Sequence, residues 1–212
     1  MNQHAPDPTS PLRDAAGTPR PAPPGALSQN AVLVANRMLA GLEDRDVLMI
    51  CGLSDHRGVE ALALTAMRAA AALSGRRVLL VDALAPHGGA GTTGPGFTDL
   101  LDGAPVAPGM VRDAGGGLRR MGVGTRPALA APGALMVGAV AAAVAALRAE
   151  ADLTCLVAAP LMRSVGTAGL AKHARATVLC VHRGVDRRDT LARAVEDLAA
   201  TGTRLIGTVF LR

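Results

Sequence analysis

Tryptophan and tyrosine are absent from this sequence, and phenylalanine occurs only twice. Without tyrosine, any chemistry that needs a phenol is excluded. Without aromatic rings, a groove that stacks single-stranded bases has no platform. The charge balance does not restore such a reading. The formal net charge is +5, yet the basic residues form no block. The densest group, Arg183, Arg187 and Arg188, is interleaved with Asp186 and Asp189 and reads as a solvated helix start. Nucleic acid is therefore not an expected partner.

Cysteine is scarce as well. Cys51, Cys155 and Cys180 make an odd count, and each lies inside an apolar, strand-like run. That pattern fits buried free thiols in a reducing compartment, and no metal-ligand spacing is present. The N-terminus lacks an apolar signal region. The longest apolar run, Ala134 to Leu147, falls short of the roughly 20 residues of a spanning helix. A cytoplasmic chain is expected, reaching a membrane only through a partner.

What is abundant is Ala, Val and Leu, so the core has to pack by close approach of helices to a sheet. Residues 1–26 carry seven prolines (Pro6, Pro8, Pro11, Pro19, Pro21, Pro23 and Pro24) and almost no large apolar residue. They cannot bury enough surface to offset chain entropy, so a disordered tail is expected, with a single domain over 27–212. Ser28 can cap a helix running to Leu42.

The chain is organised around residues 46–82. Val47 to Cys51 is a strand-length apolar run, Gly52 to Gly58 a loop of turn formers, and Val59 to Ser74 an alanine-rich helix that Gly75 ends. Arg76 to Asp82 is a second strand closing on a carboxylate. A βαβ unit with a glycine-bearing first turn is the layout that holds a phosphate at a helix N-terminus, although the usual GxxxxGK(S/T) is missing.

Further on, 83–96 reads as a loop, 97–103 as a short helix, 118–123 as a strand and 133–150 as a helix started by Pro132. Asp152 to Ala158 is a buried strand, Val165 to His173 a short helix, Ala176 to His182 a strand, Asp186 to Thr201 a helix ended by Gly202, and Arg204 to Leu211 a last strand. Such alternation predicts an α/β fold: a mostly parallel sheet with helices on both faces. Ligands of such sheets sit at the carboxyl ends of the strands, which places Gly52 to Gly58, Asp82 and Ala158 to Arg163 on one rim.

Laid out in this way, the chain resembles the cytoplasmic kinase domain of the bacterial tyrosine kinases (BY-kinases) of capsule and exopolysaccharide export. These belong to the MinD/ParA-type P-loop ATPases. Gly75 to Ala83 (GRRVLLVDA) is similar to that family's GKRVLLIDAD strand, and Gly96 to Gly103 (GFTDLLDG) to its GLSDVLAG segment. Ala151 to Pro160 lies where the family has YDLVIIDTPP, and Gly202 to Leu211 looks like its GARVLGVVLN.

The resemblance implies a P-loop-type three-layer fold and a nucleotide site that this chain has lost. Val59 or Glu60, depending on the gap, falls on the family's lysine, and a glutamate there would repel phosphates. Leu84 and Val157 replace two metal-side carboxylates, leaving Asp82. Ser28, Ala31 and Val34 stand where the family's EX2RX2R oligomer motif would be, and the tyrosine cluster is missing.

The vestigial nucleotide site would comprise Gly52, Ser54, Arg57, Gly58 and Asp82, with Arg57 the one cation able to stand in. No cofactor is expected, with ATP and Mg²⁺ binding at most weakly. The implied role is that of an inactive docking or regulatory partner of a membrane polysaccharide co-polymerase or of an active kinase paralogue, with oligomers allowed. Residual ATPase activity and ParA-like cargo positioning are the alternatives. Plainer roles compete residue by residue: Asp82 as a polar strand end, Gly52 and Gly58 as turn glycines, and His56 and His87 as exposed loop residues. Asp99, Asp102, Ser164 and Thr167 would be helix caps.

Overall fold

Apolar runs of five to eight residues form most of the parallel strands of this protein, and the alanine-rich runs between them form helices. The computed structural model describes residues 29–83, 94–125 and 137–211. Expectations for the 1–26 tail, the Ser28 cap, Leu84, His87 and the Pro132 helix start lie outside these residues.

In chain order the elements are α1 (Gln29–Leu39), β1 (Asp46–Gly52), α2 (Val59–Ser74), β2 (Val78–Asp82), α3 (Phe97–Leu101), β3 (Val111–Asp113) and β4 (Leu118–Met121). They continue with α4 (Val137–Glu150), β5 (Leu153–Ala158), a single 3₁₀ turn (Leu161–Arg163), α5 (Val165–Ala171), β6 (Ala176–His182), α6 (Arg188–Thr201) and β7 (Arg204–Leu211). Among the described residues the strands form one sheet in the order β3-β4-β2-β5-β1-β6-β7. Every pairing is parallel except β3 with β4.

Because strand side chains alternate between faces, each central strand feeds two cores. Val47, Met49 and Cys51 of β1 pack on one face with Leu100 of α3, Val144 and Leu147 of α4, Leu170 of α5 and Leu198 of α6. Leu48 and Ile50 pack on the other with Ala35 and Met38 of α1 and Ala63, Met67 and Ala70 of α2. The alanines let α2 lie close on the sheet, as a core nearly free of aromatics requires. The three cysteines are buried free thiols, and burial pushes the Cys180 thiol up to about 12. Among the described residues no helix is long and apolar enough to cross a membrane.

Several boundaries differ from expectation, each for a local reason. β4 stops at Met121 because the next carbonyls, Gly122 and Val123, accept the Phe97 and Thr98 amides that open α3. β3, with one apolar residue in three, carried no strand signal in sequence and exists only through antiparallel pairing to β4. α6 starts at Arg188 instead of Asp186, since the Asp186 carboxylate turns inward to accept the His182 amide at 2.6 Å. α1 ends at Leu39 and α5 at Ala171, short of the expected Leu42 and His173.

Candidate functional site

Parallel pairing brings the carboxyl ends of β1, β2, β5 and β6 to one rim, with Asp82 in register with Val157 and Gly52 with Cys180. The loop from β1 to α2 folds tightly over its own strand end. A Cβ on Gly52 would lie 1.6 Å from the Asp55 carbonyl oxygen, so only glycine fits there. Leu53 is tied down on both sides: its amide donates to the Cys180 carbonyl and its carbonyl accepts the Met162 amide. Gly58, the residue before α2, has φ of 72°, a left-handed conformation that favours glycine. The plain turn role of both glycines is thus realised.

The loop amides that would cradle a phosphate are engaged from within. One oxygen of the Asp55 carboxylate accepts the His56 amide at 2.7 Å and the Arg57 amide at 3.0 Å, and the other accepts Arg57 Nε at 2.6 Å. These bonds, the Arg57 amide foremost, push the Asp55 carboxyl down to about 2. Asp55 was not among the residues expected at the site, and its role follows from a loop geometry that no motif encodes. Arg57, the expected stand-in cation, is held by Asp55, and Ser54 is half-buried beside it.

Glu60, in the first turn of α2, does not face the rim as a lone negative charge. Its carboxylate meets Arg120 of β4 at 2.6 Å. Arg120 is in register with Leu80 across β2 and β4, so it emerges on the α2 face of the sheet. The repulsion expected of a glutamate at this position is therefore largely neutralised. With His56, Val59, Leu80, Val157 and Ala158, this pair and the buried Asp82 line a small cavity. Its free volume of about 30 Å³ holds a water or two and no phosphate group. Among the described residues no cluster of His, Cys, Asp and Glu could hold a metal ion.

Asp82 is thus brought together with Glu60 and Arg120, whereas Arg57 and Gly58 face a second cleft. That cleft, of about 350 Å³, is lined by Arg57, Gly58, His182, Arg183, Val185 and Leu211. His182 is buried, and its Nε2 donates to the Arg57 carbonyl at 2.9 Å, fixing the loop to the end of β6. Its Nδ1 lies 4.0 Å from the buried Asp186 carboxylate. Neither residue stood out in sequence, because they are 125 and 129 positions from Arg57.

The remaining cap expectations divide. The Asp99 carboxylate accepts the Gly96 amide at the start of α3 and also the Thr125 amide and hydroxyl. This clamp explains the GFTDLLDG segment in structural terms: Gly96 and Gly124 are required by the closeness of 96–99 to 122–125. Asp102 stands at the C-cap of α3. Ser164 precedes α5 without a side-chain cap bond, and the buried Thr167 hydroxyl donates to the Ala159 carbonyl instead of capping a helix.

No family model matches the sequence, and neither does any curated protein. Solved structures do match. The chimerical protein CapA2B2 superposes with a TM-score of 0.71 at 17% identity, over 89% of this chain and 86% of that one. The BceF tyrosine kinase domain superposes at 0.67 with 25% identity, over 85% and 73%. The kinase domain of the Escherichia coli tyrosine kinase ETK gives 0.69 at 19%, over 81% and 69%. The fold is that of a bacterial tyrosine kinase domain. A ParA family ATPase and a plasmid partition protein share it more distantly, as expected of a P-loop-type α/β sandwich.

Proposed function

We propose that this chain is a catalytically inactive tyrosine-kinase-like protein of exopolysaccharide or capsule biosynthesis. It acts as a docking or regulatory partner of a membrane polysaccharide co-polymerase or of an active kinase paralogue, which recruits it to the inner membrane face. One observation carries the reading. Where a nucleotide's phosphates would lie, the protein's own carboxylates sit, Asp55 on the loop amides and Glu60 on Arg120.

Mg-ATP does not fit these residues. A phosphate loop needs a mobile cation over the β- and γ-phosphates and a hydroxyl for the metal. The sequence has a single lysine, Lys172, which follows α5 and precedes the amino end of β6, away from the rim that carries the carboxyl ends. Val157 puts an apolar end on β5 beside Asp82. Phosphorylation of the chain's own tyrosines is impossible, since it has none.

The second reading, residual nucleotide binding or ATPase activity, has Asp82 in its favour, a carboxylate kept in the rim cavity with Arg120 and His56. Titration with labelled ATP and Mg²⁺, followed by a phosphate-release assay, separates the two. The expected result is neither saturable binding nor turnover, in the parent or in Arg57→Ala. Turnover in the parent that Arg57→Ala abolishes overturns the inactive reading.

A further inference from the structure

The two edges of the sheet are built differently. β3 closes one edge with three residues, two of them charged (Arg112 and Asp113), as protected edges commonly are. β7 closes the other with eight residues, RLIGTVFL, paired only to β6 among the described residues. None of the eight is buried, none is proline, and Phe210 is 65% exposed. The one charge, Arg204, folds back onto the Ala40 and Gly41 carbonyls.

The carboxyl end of this edge is cationic in a way the sequence conceals. Along the chain, Arg183, Arg187 and Arg188 alternate with Asp186 and Asp189. In the fold, the Asp186 side chain is fully buried beneath the β6 end, whereas the three arginines are exposed. Asp189 alone is left to balance them. The Arg183 amide donates to the Leu211 carbonyl, which places this cluster at the end of β7. The cleft shared by Arg183, Val185 and Leu211 opens there, and Val185 is 56% exposed.

We infer that the β7 edge is a docking site for an extended segment of a partner protein, alternating acidic and apolar residues and added to the sheet as a further strand. Main-chain hydrogen bonds along β7 supply affinity, Phe210 and the cleft take apolar side chains, and Arg183, Arg187 and Arg188 select the acidic ones. A second copy of this chain is the poorer occupant. Antiparallel pairing of two β7 strands sets the Arg183 end against Arg204, and parallel pairing sets arginine cluster against arginine cluster. Nucleic acid would use the charge but leave the strand edge unpaired. The inference rests on the proposed docking role only for its biological sense, since the ATP assay tests that role and the following measurement tests this edge.

The probe is a labelled peptide of alternating glutamate and valine, matched in length to β7, titrated into the full chain by fluorescence anisotropy. The controls are the lysine–valine peptide and the glutamate–valine peptide N-methylated on alternate residues. Saturable, salt-weakened binding of the first peptide alone is expected, with slowed hydrogen exchange along β7. Arg183→Glu and Phe210→Asp, both at exposed positions, should each weaken it by about tenfold while keeping the parent's melting temperature. Equal binding of the lysine peptide or of the N-methylated peptide overturns the proposal, as does no binding at all. Self-association in sedimentation that Phe210→Asp abolishes assigns the edge to a second copy and equally overturns it.

Discussion

Placing a lysine at position 60 should destabilise this protein and create no phosphate site. In the parent, Glu60 pairs with Arg120 at 2.6 Å, with side chains 40% and 26% exposed, and lies in the first turn of α2. Three effects of Glu60→Lys add up. Losing a half-exposed ion pair costs about 1 kcal/mol. Turning a favourable charge at a helix N-terminus into an unfavourable one costs about 1 kcal/mol more. Setting a lysine beside Arg120 adds about 0.5 to 1 kcal/mol, far below the fixed-charge value because the lysine can swing into water.

The expected loss is therefore about 2.5 to 3 kcal/mol, or a melting temperature lower by roughly 5 to 12 °C for a domain of this size. Glu60→Gln should lose about half as much. Combining Glu60→Lys with Arg120→Glu restores an ion pair and should bring stability back to within about 1 kcal/mol of the parent. Urea denaturation of the four proteins, with ATP turnover measured in parallel, completes the test. A Glu60→Lys variant as stable as the parent, or one that hydrolyses ATP, refutes the reasoning.

Gly52→Ala should cost about 2 kcal/mol or more and speed hydrogen exchange at Leu53, because its Cβ would strike the Asp55 carbonyl; an unchanged denaturation midpoint counts against the loop geometry. Asp99→Ala removes the bond to the Gly96 amide and both Thr125 bonds and should cost about 2 kcal/mol; a loss near zero would show that this clamp adds nothing. Hydrogen bonds from the Arg77 side chain and amide push the Asp152 carboxyl down to about 2. A depressed folded value contributes stability that is present above the unfolded carboxylate range and lost as pH falls through the folded value. Denaturation midpoints should thus drop between about pH 5 and pH 2, less steeply in Asp152→Asn, and an identical slope in that variant removes Asp152 from the account.

The central parallel strands were legible because both faces of each are buried, so apolar runs mark them almost to the residue, as with Asp46–Gly52 and Ala176–His182. β3 was not, since three residues with one apolar side chain carry no periodicity, and the pairing that makes them a strand is supplied by β4. At the site, Asp82 and the loop glycines were visible as parts of a βαβ unit. Arg120 was invisible because only its register with Leu80 brings it to Glu60, and nothing local in an Arg-Arg pair distinguishes the inward residue. Asp186 misled for a related reason. Read along the chain it balances its neighbouring arginines, but once buried at the end of β6 it leaves Asp189 as their one neighbouring carboxylate on the surface.

These internal pairs have a common cause. A nucleotide-binding loop presents aligned amides and a cation that the ligand's phosphates neutralise, so such a site is satisfied only while occupied. A chain that loses the ligand must satisfy those groups itself, or carry unpaired amides and charge at a helix start. Here the Asp55 carboxylate takes two amides and the Arg57 guanidinium, while Arg120 pairs with Glu60 in the first turn of α2. On the proposed inactive reading, the lysine and the metal carboxylates are linked losses: without a ligand, each position favours a residue that pairs within the protein. Reversing one alone, as Glu60→Lys does, opposes the others, and for that reason the double charge exchange with Arg120 should recover stability without recovering nucleotide.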